Sequence, residues 1–242
     1  MALEINNVTF GYNKVKNVLE NFSLKFDEPG IYGLLGKNGT GKSTLLYLIM
    51  GLLRPKFGTV TIDGIQASER RPEILNDMFI VPEEYDLPSI SLKKFVSRIK
   101  PFYPRFDEEL LYHLLEGFEM PSEINLGALS MGQKKKVYMC VALAAKTRYL
   151  LMDEPTNGLD IPSKSQFRKI VAGSTEPDQT VIISTHQVRD VELLLDHVTM
   201  IETNQVLLHC KMDELFSDEE PINLESAFNK LLEDNKNGVL TK

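Results

Sequence analysis

Gly30-Ile31-Tyr32-Gly33-Leu34-Leu35-Gly36-Lys37-Asn38-Gly39-Thr40-Gly41-Lys42-Ser43-Thr44-Leu45-Leu46-Tyr47-Leu48-Ile49-Met50-Gly51 decides the fold. Its middle, Gly36 to Ser43, is glycine, four residues, then Gly-Lys-Ser, the spacing of a P-loop. The residues before it read as a short buried strand. The residues after it read as a helix, apolar nearly all round and ending at Gly51. Three glycines let the backbone curl so that successive N–H groups point inward as an anion nest. The helix N-terminus adds partial positive charge. Lys42 is placed to reach β- and γ-phosphates, and the Ser43 hydroxyl to sit on Mg²⁺. Strand, glycine loop and helix together predict a nucleoside triphosphate site.

The bulk composition sets limits on what surrounds that loop. The chain has 242 residues, 43% of them hydrophobic, enough for one large domain with a buried core. Its formal net charge of −7 argues against a nucleic-acid partner. The cysteines, Cys140 and Cys210, lie in apolar contexts and read as free buried thiols rather than as a disulfide or metal site. Met1-Ala2-Leu3-Glu4 lacks the basic start of a secretory leader, and no apolar run reaches the roughly 18 residues that span a bilayer. A cytoplasmic protein is expected, with any membrane-spanning role left to another subunit.

Outward from the P-loop, residues 2–10 and the alternating Asn21-Phe22-Ser23-Leu24-Lys25-Phe26-Asp27 predict strands. With Gly58–Gly64 they predict a small antiparallel sheet beside the P-loop core. Met78-Phe79-Ile80-Val81 is a buried strand stopped by Pro82. From there to about Thr147 the pattern is helical: Ser91 to Lys100, Asp107 to Gly117 with Asp107 as N-cap, and Met131 to Lys146. The α/β rhythm returns with a strand over Tyr149–Met152, a helix over about Pro162–Gly173 and a strand over Thr180–Ser184. A helix is expected over Val188–Leu195, then a hairpin around Glu202-Thr203-Asn204 and a tail helix over Leu224–Leu232 with frayed last residues. The expected fold class is α/β, a RecA-like P-loop NTPase core with an antiparallel β subdomain and an inserted α-helical subdomain. Residues 1–84 and 148–220 would form core plus β subdomain, 85–147 the helical subdomain and 221–242 a helical tail.

Several core strands end in polar residues: the P-loop, Glu83, Asp153-Glu154 and His186. Ligands of parallel α/β sheets bind at the carboxyl ends of strands, so these groups are expected to meet. Asp153 and Glu154 follow four apolar residues, and carboxylates there are costly to bury without a cation. Mg²⁺ held by Ser43 and Asp153 would supply it, leaving Glu154 to face a water as general base. His186 could donate to a γ-phosphate oxygen; His113, His197 and His209 read as packing or surface residues. Ser130 is an N-cap next to a glycine, a second helix N-terminus able to take phosphate. Such a second site outside the core invites two chains sharing one nucleotide. Tyr12, by itself, reads as loop-edge packing. Lys134-Lys135-Lys136 reads as a solvated helix face.

In this order and spacing the motifs resemble the ATP-binding-cassette ATPases over almost the whole chain. Tyr12 matches that family's adenine-stacking aromatic and Gly36 to Ser43 its Walker A loop. Leu129-Ser130-Met131-Gly132-Gln133 matches the signature motif. Tyr149 to Glu154 match Walker B, Asn157-Gly158-Leu159-Asp160 the D-loop and His186 the switch histidine. The resemblance implies that ATP contacts Tyr12, Gly36, Lys37, Asn38, Gly39, Thr40, Gly41, Lys42, Ser43 and Thr44 of one chain. From a second copy, or a homologous ATPase, come Ser130, Met131, Gly132, Gln133 and Asp160. Glu154, His186 and Lys42 would be catalytic, and Ser43, Asp153 and Glu83 would hold Mg²⁺. ATP would close a head-to-tail dimer and hydrolysis would open it, driving separate permease subunits at the inner face of the cell membrane.

Two positions depart from the family pattern. Met131 replaces the first glycine of the usual Gly-Gly pair, while Gly132 keeps the phosphate approach open. Glu83 follows Val81-Pro82 where the family usually has glutamine, and adds negative charge facing the γ-phosphate. Retained activity with altered Mg²⁺ dependence is expected. The chain length, Phe102-Tyr103-Pro104-Arg105-Phe106-Asp107 and the tail segment Leu224-Glu225-Ser226-Ala227-Phe228 are similar to ATPase subunits of bacterial ABC-2-type exporters. The alternative within the superfamily is a soluble ATPase of the iron–sulfur assembly type. A DNA-repair ATPase would need a long coiled-coil insertion and a translation factor usually joins two cassettes. A monomeric P-loop kinase or GTPase would not need Ser130–Gln133, and a binding module without turnover would not need Glu154.

Overall fold

The computed structural model describes residues 2–121, 123–215 and 224–236. In chain order the elements are β1 (Leu3–Phe10), β2 (Leu19–Phe26), β3 (Gly30–Leu35), α1 (Lys42–Ile49), β4 (Phe57–Ile62), β5 (Ile65–Gln66), α2 (Pro72–Leu75) and β6 (Met78–Val81). Next come α3 (Leu92–Ile99), α4 (Glu108–Gly117), α5 (Met131–Ala144), β7 (Tyr149–Asp153), α6 (Ile161–Ser174) and β8 (Thr180–Thr185). The described chain closes with β9 (His197–Glu202), β10 (Gln205–Lys211), α7 (Met212–Leu215) and α8 (Leu224–Lys236). The expected ends at residues 216–223 and 237–242 lie outside the described residues.

Six strands form the central sheet in the order β10-β9-β3-β8-β7-β6. The pairings β9–β3, β3–β8, β8–β7 and β7–β6 are parallel, and only β10 runs antiparallel at the edge. Parallel strands covered on both faces read as unbroken apolar runs, which is how Tyr149-Leu150-Leu151-Met152 and Thr180-Val181-Ile182-Ile183 are composed. Alternation divides them. Tyr32, Leu34, Tyr149, Leu151 and Ile182 pack toward α1 and the second sheet, while Leu150, Met152, Val181 and Ile183 pack toward the helical side. The second sheet, β2-β1-β4-β5, is antiparallel as expected.

Residues 85–147 carry α3, α4 and α5. They do not build a core of their own. Leu92, Val96, Leu111, Leu114 and Val137 belong to the same buried cluster as Leu150, Met152 and Val181 of the sheet. Asp107 caps α4, its carboxylate accepting from the Leu110 N–H at 2.9 Å. Ser130 and Gln133 form a reciprocal capping box at the start of α5.

The helix expected over Val188–Leu195 is instead two 3₁₀ turns, Val188–Asp190 and Glu192–Leu194. Val188, Val191 and Leu194 are buried while Leu193 is exposed. Within the two turns the buried positions recur every three residues, the period of a 3₁₀ helix, and Val191 at φ −126° separates the turns. Of the histidines read as packing, His197 stacks on Tyr32 at 4.2 Å between ring centres and His209 bonds Thr199 Oγ1 at 2.8 Å. Cys140 is buried, Cys210 is half-buried, and both are free. Among the described residues no helix is long and apolar enough to cross a membrane.

Candidate nucleotide site

The loop between β3 and α1 is built on close approach. A Cβ at Gly36 would lie 2.7 Å from the Ile201 carbonyl oxygen and 2.8 Å from Thr40 Oγ1. Gly41, immediately before α1, sits at φ +101°, a conformation open to glycine and strained for other residues. Lys42 is therefore the first residue of α1 yet folds back under the loop. It is only 6% exposed, and its Nζ donates to the carbonyls of Gly36 at 2.8 Å and Lys37 at 3.1 Å. Burial pulls its ammonium below the usual lysine value, and the Glu154 and Asp153 carboxylates oppose that pull.

Strands β7 and β8 bring the other charged groups to the same place. Asp153, at the end of β7, is buried and accepts from the Ser184 hydroxyl. Burial raises its pKa, with hydrogen bonds from Ser184 and Ser43 acting the other way. Glu154 is 4% exposed and sits at φ +45°, left-handed for a residue with a Cβ. Its Oε1 lies 3.6 Å from Lys42 Nζ and 2.8 Å from His186 Nδ1, and accepts from the His186 backbone N–H at 3.1 Å. Its Oε2 accepts from Thr185 Oγ1 at 2.9 Å. From sequence, His186 is expected to donate to phosphate. A carboxylate can only accept, so Nδ1 donates to Glu154, and the neutral ring then offers only an acceptor at Nε2. Donation to phosphate from this arrangement requires the protonated ring.

A cavity of about 330 Å³ opens over the loop, lined by Gly39, Lys42, Ser43, Thr44, Glu83 and Glu154, with Tyr12 at its rim. That falls in the size range of small-molecule sites. Tyr12 is 65% exposed; its ring meets Phe10 edge-on at 5.1 Å, and its hydroxyl shares a 3.2 Å hydrogen bond with Thr44 Oγ1. The packing role read from the sequence is thus met by one side of the ring, and most of the rest is open.

Glu83 extends from the end of β6 and its Oε1 accepts from Asn157 Nδ2 at 2.9 Å. The chain of bonds continues. Asn157 Oδ1 accepts from Gln187 Nε2 at 2.7 Å, and Gln187 Oε1 from Lys164 Nζ at 3.0 Å. Since a carboxylate only accepts, Glu83 fixes the orientation of both amides along this line.

Ser130, Gly132, Gln133 and Asp160 are elsewhere, grouped around a separate cavity of about 490 Å³. Met131 is 72% exposed, and a Cβ at Gly132 would meet only the Gly158 carbonyl oxygen at 3.8 Å. Asp160 caps α6, accepting from the Ser163 N–H at 2.9 Å. The structure therefore gathers the P-loop, Asp153, Glu154, His186 and Glu83 into one place, and the signature residues with Asp160 into another.

The three lysines expected on a solvated face do not share one. Lys135 is 8% exposed. An α-helix turns about 100° per residue, so three successive side chains fan over about 200° and one must meet the packed side. That periodicity was the signal for it. No comparable local signal marks Ser184, Thr185 or Gln187, whose roles come from contacts with residues about thirty positions away.

The fold and the loop geometry define a P-loop nucleoside triphosphatase. The sequence profile of the family described as ABC transporter matches residues 19–157. The chain is 30% identical to the ABC transporter ATP-binding protein YtrB of Bacillus subtilis, over 87% of this chain and 72% of that protein. It is 29% identical to the manganese transport system ATP-binding protein MntA of Synechocystis, over 96% of this chain and 91% of that one. A solved structure titled as the ATP binding subunit of an ABC transporter superposes with a TM-score of 0.83, at 22% identity, over 96% of this chain and all of that one. The chain belongs to the ABC transporter family, as an ATP-binding, ATP-hydrolysing subunit. The soluble iron–sulfur assembly alternative finds no support among these relatives. Subunits of this family dimerise and work with membrane permeases.

Proposed function

We propose that this chain hydrolyses MgATP in a head-to-tail dimer, with the Gly36–Thr44 loop of one copy facing Ser130, Met131, Gly132, Gln133 and Asp160 of the other. The observation that carries this reading is the split between the two cavities. The phosphate loop and its carboxylates form a buried cluster, while a second phosphate-competent helix start stands open and apart. Two copies related by a two-fold axis complete two such sites at once.

Within a site, Lys42 and the loop amides take the β- and γ-phosphates, and the open face of Tyr12 stacks on adenine. Glu154 orients and deprotonates the attacking water, and His186, bonded to Glu154 through Nδ1, reaches the γ-phosphate with its Nε2 side. The donor set suits a hard cation: the Ser43 hydroxyl, the Asp153 carboxylate and Glu83 are all oxygen. Three carboxylates beside two buried lysines leave negative charge for Mg²⁺ to offset. Ser43, Asp153 and Glu83 would hold the ion on the protein side, and the nucleotide phosphates would share it. When bound, Mg²⁺ neutralises charge developing on the β- and γ-phosphates.

The similarity of residues 102–107 and of the tail to ABC-2-type subunits supports an exporter whose permease subunits are separate chains. In this reading the protein works in the cytoplasm against the inner face of the membrane. Residues 85–147 are then the part that meets the permease.

The test is Glu154→Gln. The amide keeps the shape and loses the base, so ATP binding persists, turnover falls by about 100-fold or more, and dimers accumulate on a sizing column when ATP is added. A Glu154→Gln chain that stays monomeric in ATP contradicts the shared site.

A further inference from the structure

Lys135 lies in the second turn of α5, whose first residue follows the Ser130 cap. Its Nζ crosses to the turn after β7, donating to the carbonyl oxygens of Glu154 at 3.1 Å and Asn157 at 2.9 Å. That turn is closed on itself by the Asn157 N–H, which donates to the Glu154 carbonyl at 3.1 Å. Its first residue is Glu154, in the left-handed conformation that a Cβ disfavours. Such a conformation persists only where the surroundings over-determine it. Here they do. On one side the Glu154 N–H donates to the Ser184 carbonyl at 2.9 Å; on the other Lys135 grips its carbonyl. Burial pulls the Lys135 ammonium below the usual lysine value, and the Glu83, Glu154 and Asp153 carboxylates counter that pull.

We propose that Lys135 is a positioning residue for hydrolysis: by holding the carbonyls of Glu154 and Asn157 it fixes the left-handed turn that aims the Glu154 carboxylate. The assignment rests on the reading of Glu154 as the base. It has a structural consequence. One rigid helix carries both the Ser130 end, offered to the partner's nucleotide, and the grip on this chain's own Glu154. A displacement of α5 at its N-terminus is passed within two turns to the hydrolytic carboxylate. Met131 and Lys134 on the same helix make no hydrogen bond to the Glu154–Asn157 turn among the described residues.

Lys135→Met keeps the stem and removes the donors. With the full-length protein, MgATP affinity by titration calorimetry should stay within about threefold of wild type while kcat falls about tenfold or more. The double variant Lys135→Met/Glu154→Gln should be no slower than Glu154→Gln alone, because the lysine acts through that carboxylate. Wild-type kcat in Lys135→Met, equal loss of affinity and kcat, or additive losses in the double variant would each overturn the assignment. If Lys135→Met does not fold, Lys135→Ser, too short to reach either carbonyl, is read by the same outcomes. Glu154→Gln measured alone keeps the two readings apart: normal turnover there removes the base and the assignment with it, whereas an inactive Glu154→Gln beside a fully active Lys135→Met removes the assignment alone.

Discussion

The two helix starts of this chain, α1 at Lys42 and α5 at Met131, are built to opposite plans. At α1 the loop is tight, the lysine is buried and each charged group named has a polar partner: Lys42 has loop carbonyls and Glu154, Glu154 has His186 and Thr185, and Asp153 has Ser184. At α5 the capping box satisfies the helix and leaves an exposed methionine and an open glycine. The buried start holds its ligand by preorganised charge and pays for this with strain at Glu154. The exposed start is satisfied by its own capping box, which suits the meeting with a second copy proposed above. Truncation to alanine at the two ends should therefore have unequal effects.

Lys42→Ala should show the largest. It removes the cation paired with the buried Glu154 carboxylate, and breaking a buried pair costs about 3–5 kcal/mol. Nucleotide binding should vanish in calorimetry and the thermal midpoint should drop. Ser130→Ala should cost only about 1 kcal/mol of stability, the usual loss of a cap. MgATP binding to the monomer should be unchanged while steady-state turnover falls. Equal stability losses at the two ends would break the contrast. Glu83→Gln sharpens it at finer scale. It removes one negative charge at the rim of the buried site, so the Mg²⁺ concentration for half-maximal turnover should shift by about twofold to fivefold, on the order of 0.5–1 kcal/mol. Superimposable Mg²⁺ titrations would remove Glu83 from the metal's surroundings.

The smallest effect on turnover belongs outside both regions. Asp107→Ala should lower stability by about 1 kcal/mol and leave turnover at neutral pH alone. The Leu110 N–H and then Lys146 hold the Asp107 carboxyl below its ordinary value. A depressed acid stabilises the fold above its unfolded value, and that contribution fades as pH falls through the folded one. The wild-type advantage over Asp107→Ala in thermal midpoint should accordingly shrink in acid. An advantage that grows in acid would contradict the cap.

How much of this was legible in the chain depends on how local the physics is. The P-loop, the capping box at Ser130 and the cap at Asp107 each sit within a few residues, and spacing alone reveals them. The strand ends carrying Asp153 and His186 were readable because buried parallel strands advertise themselves as apolar runs. Lys135 was read as solvated because a run of three lysines looks uniform until the helix is wound. The Val188–Leu195 segment was read as α-helix because apolar spacing of three serves both helix types. The partner of His186, the left-handed backbone of Glu154 and the line from Glu83 through Asn157 to Gln187 depend on residues up to 74 apart in sequence. No window of sequence contains them.

The most direct test of the shared site mixes two inactive chains. Lys42→Ala keeps Ser130 and Ser130→Arg keeps Lys42. In a head-to-tail dimer of one of each, one site has lost both groups and the other has both. Mixing equal amounts should restore ATP hydrolysis to roughly a quarter of wild type, since half the dimers are mixed and each holds one intact site of two. Turnover that stays at the sum of the two separate chains would mean that Lys42 and Ser130 serve the same chain's nucleotide, and the shared site would be wrong.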